Sequence, residues 1–124
     1  MRLMLDTHVL LWWRDAARPL SRRARATIAD GSNQILVSIA SLWEITIKRA
    51  LGKMAFPDDL EVVLHEERFG LLSISFEHLR ALDRLPHMHR NPFDRILLAQ
   101  SVAERLPIVS GDRRFAAYGA TLIW

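Results

Sequence analysis

"MRLMLDTHVLLWW", residues 1–13, reads as a strand that passes directly into a helix, with an acid at the junction. Arg2 to Leu5 is short and apolar enough for a buried strand, whereas from Thr7 the apolar side chains recur at helical spacing. Asp6 stands between them. An ionised carboxylate inside an apolar run is costly unless it is hydrogen-bonded, paired or bound to a metal. Asp6 therefore requires partners from elsewhere in the chain.

Working outward, the same alternation continues. "SRRARATIADG" opens at a serine cap, carries an arginine-rich outer face and stops at Gly31; "QILVS" is a second strand. "SIASLWEITIKRALG" begins at another serine cap and ends at Gly52. After Pro57, "DDLEVVLHEERFG" is an amphipathic helix closed by Gly70, followed by the strand "LLSIS" and the helical "FEHLRALDRL". "NPFDRILLAQSVAERL" has Asn91 as its cap and Pro92 at the first helical position. "PIVSG" is a fourth strand, Asp112 to Tyr118 a short helix and "ATLIW" a terminal strand. Brief strands, apolar on both sides and alternating with helices, predict an α/β fold with a parallel sheet covered on both faces.

Length and composition agree with this reading. The 124 residues suit one domain, 1–124, around one core, and the chain is 50% hydrophobic and 25% charged, with 5 Gly and 5 Pro. It has no cysteine, which excludes disulfides, thiolate metal sites and cysteine nucleophiles. A cytoplasmic location is expected. Asp6 and His8 interrupt the first apolar stretch and no small-residue cleavage site follows, so no secretory signal is expected there. No apolar run approaches the roughly 20 residues of a membrane span. The net charge is +3, carried by fifteen Arg and two Lys, with a pI of about 10.2. Such a balance favours an acidic partner such as nucleic acid.

In open parallel sheets, ligands bind beyond the carboxyl ends of the strands. Asp6 ends the first strand. Glu44 lies about two turns into the helix after the second, and because helical side chains tilt toward the helix start it can reach back to the same edge. Asp94 is in the first turn of the helix leading to the fourth strand, and Asp112 directly follows that strand. Four carboxylates separated by as much as 106 residues can thus meet at one sheet edge. Gathered without a counter-ion they repel one another, so protons or a divalent cation must share the site. Hard oxygen ligands select Mg²⁺ or Mn²⁺ over zinc. Each acid also has a local explanation. Asp6 can cap the helix at Thr7, Glu44 can pair with Lys48 at i,i+4, Asp94 can face the helix dipole and Asp112 can cap "RRFAAYG".

"LDTHVLLWW", "VSIASLWEITIKRALGKM", "LPHMHRNPFDRILLAQ" and "SGDRRFAAYG", in this order and spacing, resemble the PIN domain ribonucleases, and within them the VapC-type toxins of toxin–antitoxin pairs. The resemblance covers nearly the whole chain. It implies a PIN-like three-layer α/β/α sandwich around a central, mainly parallel sheet, and a Mg²⁺- or Mn²⁺-dependent endoribonuclease. It assigns catalytic and metal-ligating roles to Asp6, Glu44, Asp94 and Asp112, and supporting roles to the hydroxyls of Thr7 and Ser110. Hydrolysis would leave 5′-phosphate and 3′-hydroxyl ends. The implied partners are an RNA substrate, a VapB-type antitoxin covering the acidic pocket and a second copy in a homodimer; no membrane is implied. Two positions depart from the family pattern. Asn91 stands where relatives often have Asp, and Gly111 is expected to add flexibility beside Asp112.

Setting the four site acids aside leaves ten acidic against seventeen basic residues, about +7, to hold an RNA backbone. Arg95, Arg113 and Arg114, beside the expected site, are candidates for phosphate contact. His87 and His89 are two apart but lack further nearby ligands, and read as loop residues. Trp12, Trp13 and Trp43 read as core or subunit-contact residues, with base stacking as the functional alternative. The helix from Asp58 to Phe69 reads as core packing. A receiver-type signalling domain fits less well, because Thr7 rather than an acid follows Asp6 and both lysines are mid-chain. An aspartyl-phosphate hydrolase would have an acid where His8 stands. A catalytically silent RNA-binding or regulatory module is the remaining alternative.

Overall fold

The computed structural model describes residues 1–16, 19–87 and 91–124. His89 lies outside these residues, while His87 is exposed. The chain alternates as β1 (Arg2–Leu5), α1 (Thr7–Arg14), α2 (Arg22–Ala29), β2 (Gln34–Ser38), α3 (Ile39–Ala50), α4 (Leu60–Glu67), β3 (Gly70–Leu72), α5 (Phe76–Arg84), α6 (Pro92–Glu104), β4 (Ile108–Val109), a 3₁₀ helix (Arg113–Tyr118) and β5 (Leu122–Ile123). The strands form one sheet in the order β3-β2-β1-β4-β5, and every neighbouring pair is parallel.

Strand periodicity builds the three layers. Leu3 and Leu5 of β1, Ile35 and Val37 of β2 and Val109 of β4 enter one buried cluster with Val9, Leu10, Ala24, Ile28 and Val63 from α1, α2 and α4. The intervening Met4, Leu36 and Ile108 enter a second cluster with Ala81 of α5, Ile96 to Ala99 of α6 and Phe115 of the 3₁₀ helix. Alternate residues of one strand thus feed cores on opposite faces of the sheet. α3 contributes to both, through Ile45 and Ala40.

The serine and asparagine caps hold as read. Ser21 Oγ accepts from Ala24 N at 3.0 Å, Ser38 Oγ from Ala40 N at 3.1 Å and Asn91 Oδ1 from Phe93 N at 3.0 Å. The end of α4 differs. The helix stops at Arg68, which takes the left-handed conformation (φ 59°), and Gly70 opens β3 instead of closing the helix. The reason is packing: a Cβ on Gly70 would lie 2.7 Å from Cδ2 of the buried Leu36 on the neighbouring strand. β3 ends at Leu72, shorter than the expected "LLSIS", because Ser75 caps α5 in a reciprocal pair with His78. Among the described residues, no helix is long and apolar enough to cross a membrane.

Candidate active site

From β1 the sheet extends through β2 and β3 on one side and through β4 and β5 on the other. Such a reversal of strand order leaves a crevice beyond the carboxyl ends of the central strands. Asp6 and Asp112 leave the sheet there. Leu5 is in register with Val109, and Asp6 N donates to Val109 O at 3.0 Å. Ser110 fastens the two exits: its Oγ donates to Asp6 Oδ2 at 2.8 Å and accepts from Asp112 N at 3.1 Å. Asp112 Oδ1 also accepts from Arg114 N at 3.0 Å, capping the 3₁₀ helix. Asp6 makes no side-chain capping bond to α1.

The other two acids arrive on helices. Glu44, in α3, is buried, and its Oε2 accepts from Lys48 Nζ at 2.6 Å. Asp94 lies in the first turn of α6, just after the Asn91 cap and Pro92. Thr7 Oγ1 donates to Ser41 Oγ at 2.9 Å, a buried bond that ties the start of α1 to α3. Asp6, Asp94 and Asp112 line a cavity of about 620 Å³ together with Asn91 and Arg114. The rest of its lining is His8, Trp12, Gly111 and Trp124. Glu44 is not on the wall.

Electrostatics nevertheless join all four acids. Asp94 is pushed from an ordinary 3.8 up to about 7, first by burial and then by the charges of Asp6, Glu44 and Asp112, with Arg114 opposing. Burial also raises Asp6; the Ser110 hydrogen bond and nearby His8 work against that, and the Glu44 charge adds to it. Two of the four are held by basic side chains. Lys48 holds Glu44, and the Arg114 guanidinium grips both Asp112 oxygens, Nε to Oδ1 at 2.9 Å and Nη2 to Oδ2 at 2.7 Å.

The donor set fits a hard divalent cation. It is all oxygen, and Asp6 Oδ1 and Glu44 Oε1 are buried with no hydrogen-bond partner among the described residues. As the side chains stand, no three His, Asp or Glu among the described residues are gathered closely enough to hold an ion. A cation drawing on Glu44 or Asp112 competes with Lys48 or Arg114.

Of the arginines singled out from the sequence, Arg114 lines the cavity. Arg95 donates to Pro86 O at 2.7 Å and Arg113 is exposed; neither lines it. Sequence reasoning missed Ser41, whose only signal is its place one helical turn before Glu44. It also missed His8 and Trp124 as lining residues. Gly111 has a role other than flexibility: a Cβ there would meet the Trp124 indole at 3.0 Å.

The sequence profile of the PIN domain family matches residues 3–120. Among curated protein sequences, none matches this chain. Three of the solved structures that share its fold illustrate the likeness. They are VapBC2 from Rickettsia felis bound to a DNA fragment from its promoter (16% identity, 98% of this chain and 97% of that one, TM-score 0.73), a toxin–antitoxin complex from Klebsiella pneumoniae (15%, 98% and 96%, 0.67) and DNA-bound VapBC from Salmonella typhimurium (14%, 98% and 96%, 0.66). At these identities the likeness concerns the fold, and the profile match decides the family. The chain belongs to the PIN domain family.

Proposed function

We propose that this protein, a single PIN domain, is a Mg²⁺- or Mn²⁺-dependent endoribonuclease acting as the toxin of a VapBC-type pair. The observation that carries the reading is the loading of Asp94 by three other carboxylates from distant parts of the chain, beside an open cavity. Structural carboxylates are seldom gathered so; perturbed acids in a cleft mark a site that binds cations or moves protons.

Asp6, Asp94 and Asp112 would hold the cation, and Glu44 would hold it or orient the attacking water. When bound, the cation supplies Lewis acidity to a phosphoryl oxygen and a more acidic water. Ser110 fixes the Asp6 carboxylate and the backbone at Asp112 with one hydroxyl. Thr7 and Ser41 hold α1 and α3 together, and with them Asp6 and Glu44. Arg114, once released from Asp112, is placed to meet a phosphate. Water attacks phosphorus in line, the bond to the 3′ oxygen breaks, and the products carry 5′-phosphate and 3′-hydroxyl ends. No ribose 2′-hydroxyl nucleophile is needed.

The acidic cavity also suits a VapB-type antitoxin that inserts a basic side chain, and two of the fold neighbours are VapBC complexes. A homodimer is part of the same reading. Incubating the purified protein with pooled transfer and ribosomal RNAs in Mg²⁺, Mn²⁺ or EDTA, beside Asp94→Asn, tests it. Cleavage that needs the cation and disappears in the variant is expected; cleavage unaffected by EDTA or by the substitution defeats it. The silent RNA-binding module draws on the Lys48–Glu44 and Arg114–Asp112 pairs, and RNA binding without cleavage in any of these conditions would favour it.

A further inference from the structure

The cavity is larger than an ion and one phosphate require. Pockets of roughly 300–1,000 Å³ typically take whole small molecules, and this one measures about 620 Å³. Part of its lining is a connected aromatic series. His8 and Trp12 lie 5.8 Å apart with a 40° tilt, and Trp12 and Trp124 lie 6.0 Å apart with a 55° tilt. Both tryptophans are half-buried and pack against the core beneath α1, so the series is held rigid while it lines the cavity.

Gly111 brings this series to the acids. It lies between Ser110 and Asp112, and its missing Cβ leaves room for the Trp124 indole, whose Cζ2 and Cε2 would stand 3.0 and 3.1 Å from that atom. Trp13, next to Trp12 in the chain, has a different job: its indole N–H donates to Glu67 on α4 at 2.8 Å. Trp12 and Trp124 instead line the cavity that contains Asp6, Asp94 and Asp112.

We infer that Trp12 and Trp124 form a base-stacking subsite, which takes one unpaired nucleobase of the RNA beside the bond to be cut. The inference rests on the nuclease reading and adds to it the two residues that would hold the base beside the bond to be cut. A base within a duplex is stacked on its neighbours and is not available to a protein ring, whereas a splayed base stacks on an indole face. A phosphate held among the acids brings its own base within one nucleotide's reach of the tryptophans. Stacking is tolerant of base identity, so the subsite selects unpaired RNA more than sequence.

The test compares wild type, Trp12→Leu and Trp12→Phe on a short single-stranded RNA in Mg²⁺, with a single abasic ribose stepped along the strand. Removing one stacked base or its ring weakens binding by roughly tenfold. Trp12→Leu should therefore raise KM about tenfold with kcat nearly unchanged, and Trp12→Phe should restore most of the loss. At one position the abasic ribose should erase the difference between Trp12 and Leu. The same sequence closed into a duplex should be cut poorly. Equal losses on base-bearing and abasic RNA, or wild type indifferent to every abasic position, overturns the subsite. Should Trp12→Leu fail to fold, the abasic scan on wild type and Trp12→Phe decides alone. If wild type cuts no RNA, the nuclease reading fails separately, and binding of the labelled RNA by fluorescence anisotropy decides the subsite through the same variants.

Discussion

Replacing Asp94 with asparagine should make the protein more stable while abolishing cleavage. In the folded protein Asp94 titrates near 7 instead of 3.8, because it is partly buried among the charges of Asp6, Glu44 and Asp112. Between those two pH values the native state keeps a proton that the unfolded chain has released, so stability falls as pH rises through that window. Above about pH 7 both states are ionised and the full penalty is present. At ~1.36 kcal/mol per pH unit the gap corresponds to at most ~4 kcal/mol. Asp94 is not sealed from water, and relaxation around it reduces the figure to ~2 kcal/mol. Asparagine keeps the shape and drops the charge. In EDTA near pH 8, Asp94→Asn should melt higher than wild type by roughly 8 °C for a chain of this size. Near pH 3, below the unfolded-state value, the two should melt together. Thermal unfolding followed by circular dichroism at both pH values provides the measurement. An asparagine variant that is less stable near pH 8, or equally stabilised at both, refutes the view that four acids crowd one site.

Other consequences concern the cation and its rivals. Mg²⁺ or Mn²⁺ at about 100 times its dissociation constant should stabilise wild type by ~2.7 kcal/mol through mass action, and the shift should vanish in Asp6→Asn; a thermal-shift titration reads it. Arg114→Gln removes both guanidinium contacts to Asp112, so Mn²⁺ should bind up to about fivefold tighter, the scale of an exposed ion pair. RNA binding should weaken and its salt slope should fall by about one in the same variant; calorimetry and fluorescence anisotropy separate the two effects, and unchanged Mn²⁺ affinity counts against the competition. Ser110→Ala strips the buried Asp6 Oδ2 of its donor and should cost ~2 kcal/mol in urea unfolding at neutral pH, where a loss below ~0.5 kcal/mol would show that Ser110 is not the fastening.

The sheet was readable because each strand carries its own evidence: apolar residues on both sides, bounded by caps. Leu3, Met4 and Leu5 alternate between two cores, and only a sheet covered on both faces accepts that. What local reading missed was the end of α4. Gly70 looks like a helix stop, yet the stop is Arg68 in a conformation costly for arginine, and the glycine is reserved for the close approach of Leu36. That contact joins residues 34 positions apart, so no window of sequence around Gly70 contains its cause. Trp124 escaped for the same reason. Its partners are Trp12 and Gly111, and neither spacing has a helical or strand period.

The four acids were legible for a topological reason, since strand ends and helix starts share an edge in a parallel sheet. Two of their local explanations also proved true, while Asp6 makes no side-chain cap. Asp112 does cap the 3₁₀ helix and Glu44 does pair with Lys48 at i,i+4. These are not rivals to a functional site. A cluster of buried carboxylates costs folding energy until something neutral or cationic answers it. Here the answers come from within: Ser110 for Asp6, Lys48 for Glu44, Arg114 for Asp112. Asp94 keeps an uncompensated penalty, visible as its displaced titration. Two of these groups, Lys48 and Arg114, are the ones a cation would have to displace, and the exposed Arg114 pair would yield more readily than the buried Glu44 one. A cation held there would draw on Asp94 and Asp112, on the cavity wall, and would reach Glu44 only by displacing Lys48.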